Sequence, residues 1–143
     1  MAQYGRLLGV DVGHKRVGLA RTDLLKTIAN PIGTFTPENS FKEIKKQAET
    51  EGPVSGIVVG WPLTPQGHPT DSTSFVKEYI NRLKKEHKEI KIYKMDERYT
   101  SRQAQQIMVE SGVPKKKRRK KGRLDQAAAA LILQQFLEAR PEL

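Results

Sequence analysis

The sequence lacks cysteine, long apolar runs, internal repeats and clustered histidines. The absence of cysteine excludes disulfide bonds and thiolate metal sites. The longest uncharged runs, 52–70 and 126–137, do not supply the roughly 20 apolar residues that a membrane-spanning helix needs. The first residues also lack the apolar stretch of a signal peptide. We therefore expect a soluble, cytoplasmic protein.

Histidine is too sparse to suggest a metal site. His14, His68 and His87 lie far apart, and none has a second histidine four residues away. Positions at the surface or at helix ends are therefore expected for them. Any metal site must then be built from oxygen ligands, which favour Mg²⁺ or Mn²⁺ over Zn²⁺.

The positive charge is concentrated in one segment. The chain has 143 residues, which predicts a single domain over 1–143. Its net charge is +10, and apart from one basic run its 18 remaining basic residues nearly balance 16 acidic ones. We expect residues 112–123 to form a flexible loop that meets a polyanion, a solvated loop or targeting signal being the alternative. The run consists of Lys115, Lys116, Lys117, Arg118, Arg119, Lys120, Lys121 and Arg123.

Apolar periodicity predicts a mixed-sheet α/β domain with the order β-β-β-α-β-α-β-α-α. A hairpin opens the chain, and Pro31 in the third strand favours an edge or a bulge. Asp71 or Ser72 is expected to cap the second helix, and Thr100 opens a third. The predicted strands are 7–12, 16–22, 28–36, 56–60 and 90–95, and the predicted helices are 38–50, one from 71 or 72, one from 100, and 127–137.

Asp11 is the most informative residue of the hairpin. It lies at the end of an otherwise apolar strand, where an ionised carboxylate costs several kcal/mol unless a partner or metal compensates it. Lys15 and Arg16 follow within five residues and could contact a phosphate. Asp11 could instead cap its own turn beside Gly13.

Other acids also lie at the ends of predicted elements. Asp96 and Glu97 follow the last strand, and Asp125 opens the last helix. Ligands gather beyond the carboxyl ends of strands in an α/β sheet, so these acids could join Asp11. Alternating strand faces allow only one of Asp96 and Glu97 to face that site. Asp125 could also be only a helix N-cap.

Two aromatic residues near these acids have open roles. His14 lies beside the predicted site and could touch a ligand. Trp61 opens a proline-rich loop and is more typical of a packing residue than of a platform on which nucleobases stack.

Four segments in order resemble the YqgF family, whose members are described as Holliday-junction resolvases or pre-16S rRNA nucleases. The resemblance spans essentially the whole chain. It is carried by Val10-Asp11-Val12-Gly13-His14-Lys15-Arg16-Val17-Gly18-Leu19-Ala20, by Ile57-Val58-Val59-Gly60-Trp61-Pro62-Leu63, by Asp96-Glu97-Arg98-Tyr99-Thr100-Ser101 and by Asp125-Gln126-Ala127-Ala128-Ala129-Ala130-Leu131-Ile132-Leu133.

This resemblance implies an RNase H-like fold with a metal-dependent nuclease site. The implied metal ligands and catalytic residues are Asp11, Glu97 and Asp125, with Glu97 assigned over Asp96. Lys15, Arg16 and Arg98 are expected to contact phosphates near the site, and the basic run to grip the backbone of the nucleic acid.

The leading hypothesis is a Mg²⁺- or Mn²⁺-dependent endonuclease acting on structured nucleic acid, above all precursor 16S rRNA. A Holliday-junction resolvase is the first alternative, and it should dimerise because a junction needs two symmetric sites. A non-catalytic nucleic-acid- or ribosome-binding module is an alternative from another class, and an actin-like ATPase ranks lowest. Both a monomer and a weak dimer remain open, and ribosomal particles are candidate partners.

Overall fold

The computed structural model describes residues 5–62, 70–96 and 121–139, without the side chains of residues 71 and 121–125. No helix in these ranges is both long and apolar enough to cross a membrane. The elements follow the predicted order as far as they are described. They are β1 (Arg6–Val12), β2 (Val17–Thr22), β3 (Ala29–Phe35), α1 (Pro37–Thr50), β4 (Val54–Trp61), α2 (Asp71–Glu86), β5 (Lys91–Asp96) and α3 (Lys121–Ala139).

The strands form one mixed sheet of five in the order β3-β2-β1-β4-β5. The first three strands pair antiparallel, whereas β1 with β4 and β4 with β5 pair parallel. Pro31 lies in the edge strand β3, opposite a register shift between Leu19 and Ala20, where its missing N–H is tolerated. These observations confirm the predicted α/β class with a five-stranded mixed sheet.

Helices cover both faces of the sheet, and the alternation of β1 shows which face each residue meets. Leu8 and Val10 belong to the core cluster that also contains residues of α1 and α2. Leu7 belongs to the second cluster, with Ala129 and Leu133 of α3. Odd-numbered residues of β1 therefore face α3, and even-numbered residues face α1 and α2.

The helix α3 approaches β1 closely at Gly9. A Cβ atom added to Gly9 would lie 2.6 Å from Cγ of Leu133 and 2.7 Å from the carbonyl oxygen of Ala129. Only a residue without a side chain fits there, so Gly9 sets the distance between the helix and the sheet.

The first two helices begin at threonine caps. Thr36 caps α1, with Pro37 in the first turn. Thr70 caps α2, so the expectation of Asp71 or Ser72 is wrong by one or two residues. The Thr70 hydroxyl accepts the Ser72 N–H at 3.2 Å, and the Thr70 N–H donates to the Thr73 hydroxyl at 2.8 Å. This reciprocal box satisfies two of the free backbone donors at the helix start.

The last helix begins earlier than predicted. α3 starts at Lys121, so Lys121 and Arg123 of the predicted basic loop have helical backbone. Lysine, arginine and leucine are good helix formers, and they extend the helix toward its N-terminus. The helix predicted from Thr100 and the rest of the basic run lie outside the described residues.

Candidate active site

Asp11 lies in the sheet itself, one residue before the end of β1. It is half-buried between apolar neighbours. Its partner on β2 is Gly18. On the other side, β1 and β4 are in register from Leu7 to Val10, which pairs with Val59. Continuing by one residue places Gly60 beside Asp11, so both neighbouring strands present glycine next to this carboxylate.

A backbone hydrogen bond closes the turn after β1, which spans residues 13–16 and so begins after Asp11. The Gly13 N–H donates to the Arg16 carbonyl oxygen at 2.9 Å. A Cβ atom on Gly13 would lie 2.7 Å from the same oxygen, so this tight turn requires glycine. His14 and Lys15 are exposed at its tip, and Arg16 is half-buried.

Strand alternation places Asp11 on the face that α3 covers, together with Leu7 and Gly9. Residue 125 precedes Ala129 by one helical turn, about 6 Å along the axis. Asp11 follows Gly9 by two residues, about 7 Å along the strand. Measured along their own elements, the backbone positions of Asp125 and Asp11 therefore both lie within about 7 Å of the Gly9 contact.

Asp125 is not the start of its helix. It is the fifth residue of α3, which is too far inside for an uncertain helix boundary to explain. The expectation that it opens the helix is therefore wrong, and so is the alternative that it serves only as an N-cap.

Asp96 faces away from Asp11. It is the last residue of β5 and pairs with Trp61. Tyr93 and Met95 pack into the α3 cluster, and Ile92 packs into the cluster beneath α1 and α2. Alternation therefore puts Asp96 on the Ile92 face. Glu97 lies outside the described residues.

Trp61 is a packing residue in this structure. It packs against the core beneath α1 and α2. The Nζ atom of Lys94 lies 4.2 Å from the centroid of its ring, a cation–π distance. This ring face is therefore occupied by Lys94.

Two histidines are described, and both contact helix α2. The ring of His14 lies against that of Phe75 in a tilted contact, with centroids 4.3 Å apart and an interplanar angle of 32°, and no sequence pattern indicates this contact. His87 is the C-cap of α2, as expected for a helix-end residue. It is buried, and its Nε2 atom has no hydrogen-bond partner in the described part of the chain.

The remaining predicted site residues lie beyond what the structure describes. Among the described residues, no group of three or more His, Cys, Asp or Glu side chains could hold a metal ion. The described residues thus contribute one candidate ligand, Asp11, whose carboxylate suits hard cations. Outside the description lie Glu97, Arg98, Lys115, Lys116, Lys117, Arg118, Arg119 and Lys120, and the side chains of Lys121, Arg123 and Asp125.

Curated proteins of similar sequence match nearly the full length. A protein from Salinibacter ruber named "Putative pre-16S rRNA nuclease" is 40% identical over 137 residues, covering 96% of this chain and 95% of that protein. A protein of the same name from Chlorobium phaeobacteroides is 42% identical over 133 residues, covering 93% of this chain and 92% of that protein.

Solved structures share the fold at low sequence identity. T. thermophilus RuvC in complex with a Holliday junction substrate has a TM-score of 0.51 at 13% identity, covering 95% of this chain and 96% of that one. The fowlpox virus Holliday junction resolvase has a TM-score of 0.53 at 14% identity, covering 94% of this chain and 98% of that one. The fold is thus that of RuvC-like resolvases of the RNase H type.

A family model described as "RuvX: Holliday junction resolvase" matches residues 5–139. This match confirms the resemblance to the YqgF family, for which RuvX is another name. The chain belongs to the RuvX family.

Proposed function

We propose that this protein is a metal-dependent endonuclease that hydrolyses phosphodiester bonds in precursor 16S rRNA. The observation that carries the proposal is Asp11, a half-buried carboxylate in an apolar strand, with Gly18 as its partner on β2 and Gly60 following Val59, the partner of Val10, on β4. Such an acid is costly unless a cation or a partner compensates it. Glycine on both sides suits the close approach of an ion and of a phosphate backbone.

Asp11, Glu97 and Asp125 are the residues that would hold the metal. Glu97 directly follows Asp96, the last residue of β5, and Asp96 itself faces away from Asp11. Residue 125 lies on α3, the helix that covers the sheet face of Asp11. Their oxygen ligands suit Mg²⁺ or Mn²⁺. Bound in pairs, such ions activate a water molecule and stabilise the leaving oxygen of a phosphodiester.

Positive charge around the site would bind the phosphate backbone. Lys15 is exposed on the turn that directly follows β1. We assign Lys15, Arg16 and Arg98 to phosphates near the cleaved bond. The basic run ends inside α3, the helix that carries Asp125, so we assign it to more distant phosphates of the same substrate.

The curated relatives support the RNA substrate by name, at 40% and 42% identity. A second candidate is the resolution of four-way DNA junctions. It is favoured by the description of the family model and by the fold shared with two resolvases. A non-catalytic binding module is a third reading, and metal-dependent cleavage separates it from the other two.

Cleavage of matched substrates by the purified protein tests the proposal. A precursor 16S rRNA fragment and a four-way DNA junction are incubated with Mn²⁺ and wild-type protein, Asp11→Asn or Asp96→Asn. Because Asp96 faces the other side of the sheet, Asp96→Asn is the matched control and should keep its activity. Asp11→Asn should lose at least about a hundredfold in kcat, the upper end of the cost of disturbing a ligand's hydrogen-bond partner.

Each outcome of this experiment has one reading. Cleavage of the RNA alone supports the proposal, and cleavage of the junction alone supports the resolvase. Full activity of Asp11→Asn would show that Asp11 is not a catalytic residue. Binding of either substrate without any cleavage by the wild type would indicate a binding module.

A further inference from the structure

The tip of the β1–β2 turn carries a tilted aromatic contact between His14 and Phe75. His14 is exposed, and its ring lies 4.3 Å from that of Phe75 at an angle of 32°. Phe75 is half-buried and packs against the core beneath α1 and α2. One side of the imidazole is therefore supported by a ring fixed in the protein, while the rest of it meets solvent.

This contact lies at the same end of β1 as Asp11, with Phe75 on the α2 side of the sheet and Asp11 on the α3 side. His14 follows Asp11 by three residues, so their Cα atoms are at most about 11 Å apart. The turn between them is short and closed by the hydrogen bond from Gly13 to Arg16 at 2.9 Å. At a rise of about 3.4 Å per stacked nucleotide, His14 lies within about three nucleotides of a phosphate bound at Asp11.

Charge beside the ring fits the same ligand. Lys15 is the next residue and is also exposed. Flat rings with adjacent cations bind single-stranded nucleic acid, because every base has a π face and every nucleotide a phosphate. Paired bases are already stacked in their duplex, so an exposed ring recognises bases that are splayed out.

We propose that the exposed face of His14 stacks on an unpaired nucleobase of the substrate. The inference rests on the proposed nuclease function and narrows its substrate to one with a single-stranded nucleotide within about three nucleotides of the cleaved bond. His14 is then a specificity-determining residue. Phe75 is a positioning residue that holds its ring.

Binding to abasic substrates tests this role. The precursor 16S rRNA fragment is made with a single abasic nucleotide at each successive position of its single-stranded region. Affinities are measured for Asp11→Asn, which leaves the RNA intact, and for the same protein with His14→Ala, His14→Phe or His14→Leu. The probe is the RNA itself, and no cleavage is needed.

We expect His14→Ala to weaken binding of the intact RNA by about 5- to 150-fold, the range of base–aromatic stacking. At one position, the abasic nucleotide should weaken binding to a similar degree in the Asp11→Asn protein that retains His14. The same abasic nucleotide should have no further effect once His14→Ala is added. His14→Phe should retain binding, since phenylalanine offers a flat ring. His14→Leu should not, although it can still pack on Phe75.

Independent effects of the His14 substitution and of the abasic nucleotides on affinity would overturn the inference. If His14→Ala weakens binding to the intact RNA and to every abasic RNA equally, His14 contacts no base. Binding by His14→Leu equal to that by His14→Phe would show that packing on Phe75 is the whole role. These measurements do not depend on cleavage. If the wild-type protein fails to cleave RNA, the proposed nuclease function is refuted, but the binding test of His14 can still be interpreted.

Discussion

At the scale of single residues, the neighbours of Asp11 are more informative than its own charge. The carboxylate is recognisable in the sequence because it interrupts an apolar strand. Its glycine partners, Gly18 on β2 and Gly60 beside it on β4, depend on strand register. The ring contact of His14 with Phe75 has no sequence signal at all, since the two residues lie in parts of the chain that meet only after folding.

Gly13→Ala should destabilise the turn that carries His14 and Lys15. The added Cβ would lie 2.7 Å from the Arg16 carbonyl oxygen, and overpacking of this kind costs about 1–3 kcal/mol. Urea unfolding measures the loss. Gly33→Ala is the control, because its added Cβ would meet Phe35 at 3.4 Å, an ordinary contact. Equal stability of the two variants would contradict the prediction.

Asp23 should make stability depend on pH in the acid range. Its carboxylate accepts the Thr27 hydroxyl at 2.5 Å and the N–H groups of Thr27 and Ile28 at 2.7 and 3.1 Å. These hydrogen bonds, that from the Thr27 hydroxyl first, lower the pKa of Asp23 from 3.8 to about 2. The folded state thus binds fewer protons than the unfolded state between these values.

The stabilisation by Asp23 is therefore complete above about pH 4 and disappears as the pH falls toward 2. We expect wild type to exceed Asp23→Ala in free energy of unfolding by a constant amount at neutral pH. That difference should shrink through the acid range. Thr27→Val, which removes the hydroxyl donor, should show a weaker pH dependence than wild type. A difference that stays constant down to pH 2 would refute this account.

At the scale of elements, the seating of α3 on the sheet decides whether the proposed site can form. The helix contacts β1 through Gly9, and it carries Asp125 one turn before Ala129. Helix packing distances depend on the side chains at the contact. A larger residue at Gly9 must therefore move the whole helix, and with it one of the proposed ligands.

Gly9→Ala should lower both stability and activity. Its Cβ would meet Cγ of Leu133 at 2.6 Å and the carbonyl oxygen of Ala129 at 2.7 Å. The backbone oxygen cannot rotate away, so we expect a loss of about 1–3 kcal/mol in the free energy of unfolding. Cleavage should fall further than the folded fraction does. Gly33→Ala serves as the control, since its added Cβ would meet only the ring of Phe35, at 3.4 Å, in the edge strand β3.

At the scale of the whole molecule, the net charge of +10 is expected to act through one segment. Removing three charges from the basic run, as in Lys115→Gln with Lys116→Gln and Lys117→Gln, should weaken binding of nucleic acid. The slope of log affinity against log salt should become less steep by about 2 to 3, at 0.7–0.9 per phosphate contact.

A second triple variant on α1 provides a control for net charge. Lys42, Lys45 and Lys46 are exposed on a helix that packs on the sheet face opposite α3. Their replacement by glutamine should leave the salt slope nearly unchanged. Equal effects of the two triple variants would mean that net charge alone drives binding.

Much of the fold is predictable from the sequence because apolar periodicity and turn residues are local. The opening hairpin is predicted within one residue, and so is the third strand. The prediction misplaces the N-cap of α2, because Asp71 and Ser72 are residue types that also cap helices well. The prediction also starts α3 too late. A run of like charges favours a loop, although lysine and arginine are good helix formers. The sheet face on which Asp96 lies could be assigned only from the structure, in which Ile92 and Met95 pack on opposite faces of β5.

The order of elements along the chain determines when the proposed enzyme becomes competent during its own synthesis. A ribosome completes all five strands before it reaches α3. Until then, the sheet face containing Leu7, Ala20 and Val58 lacks the cover that α3 provides, and Asp125 has not been added. Chains stalled before residue 121 should therefore bind hydrophobic dyes yet cut no RNA. A nascent copy of the proposed nuclease would therefore gain activity only once α3 is complete.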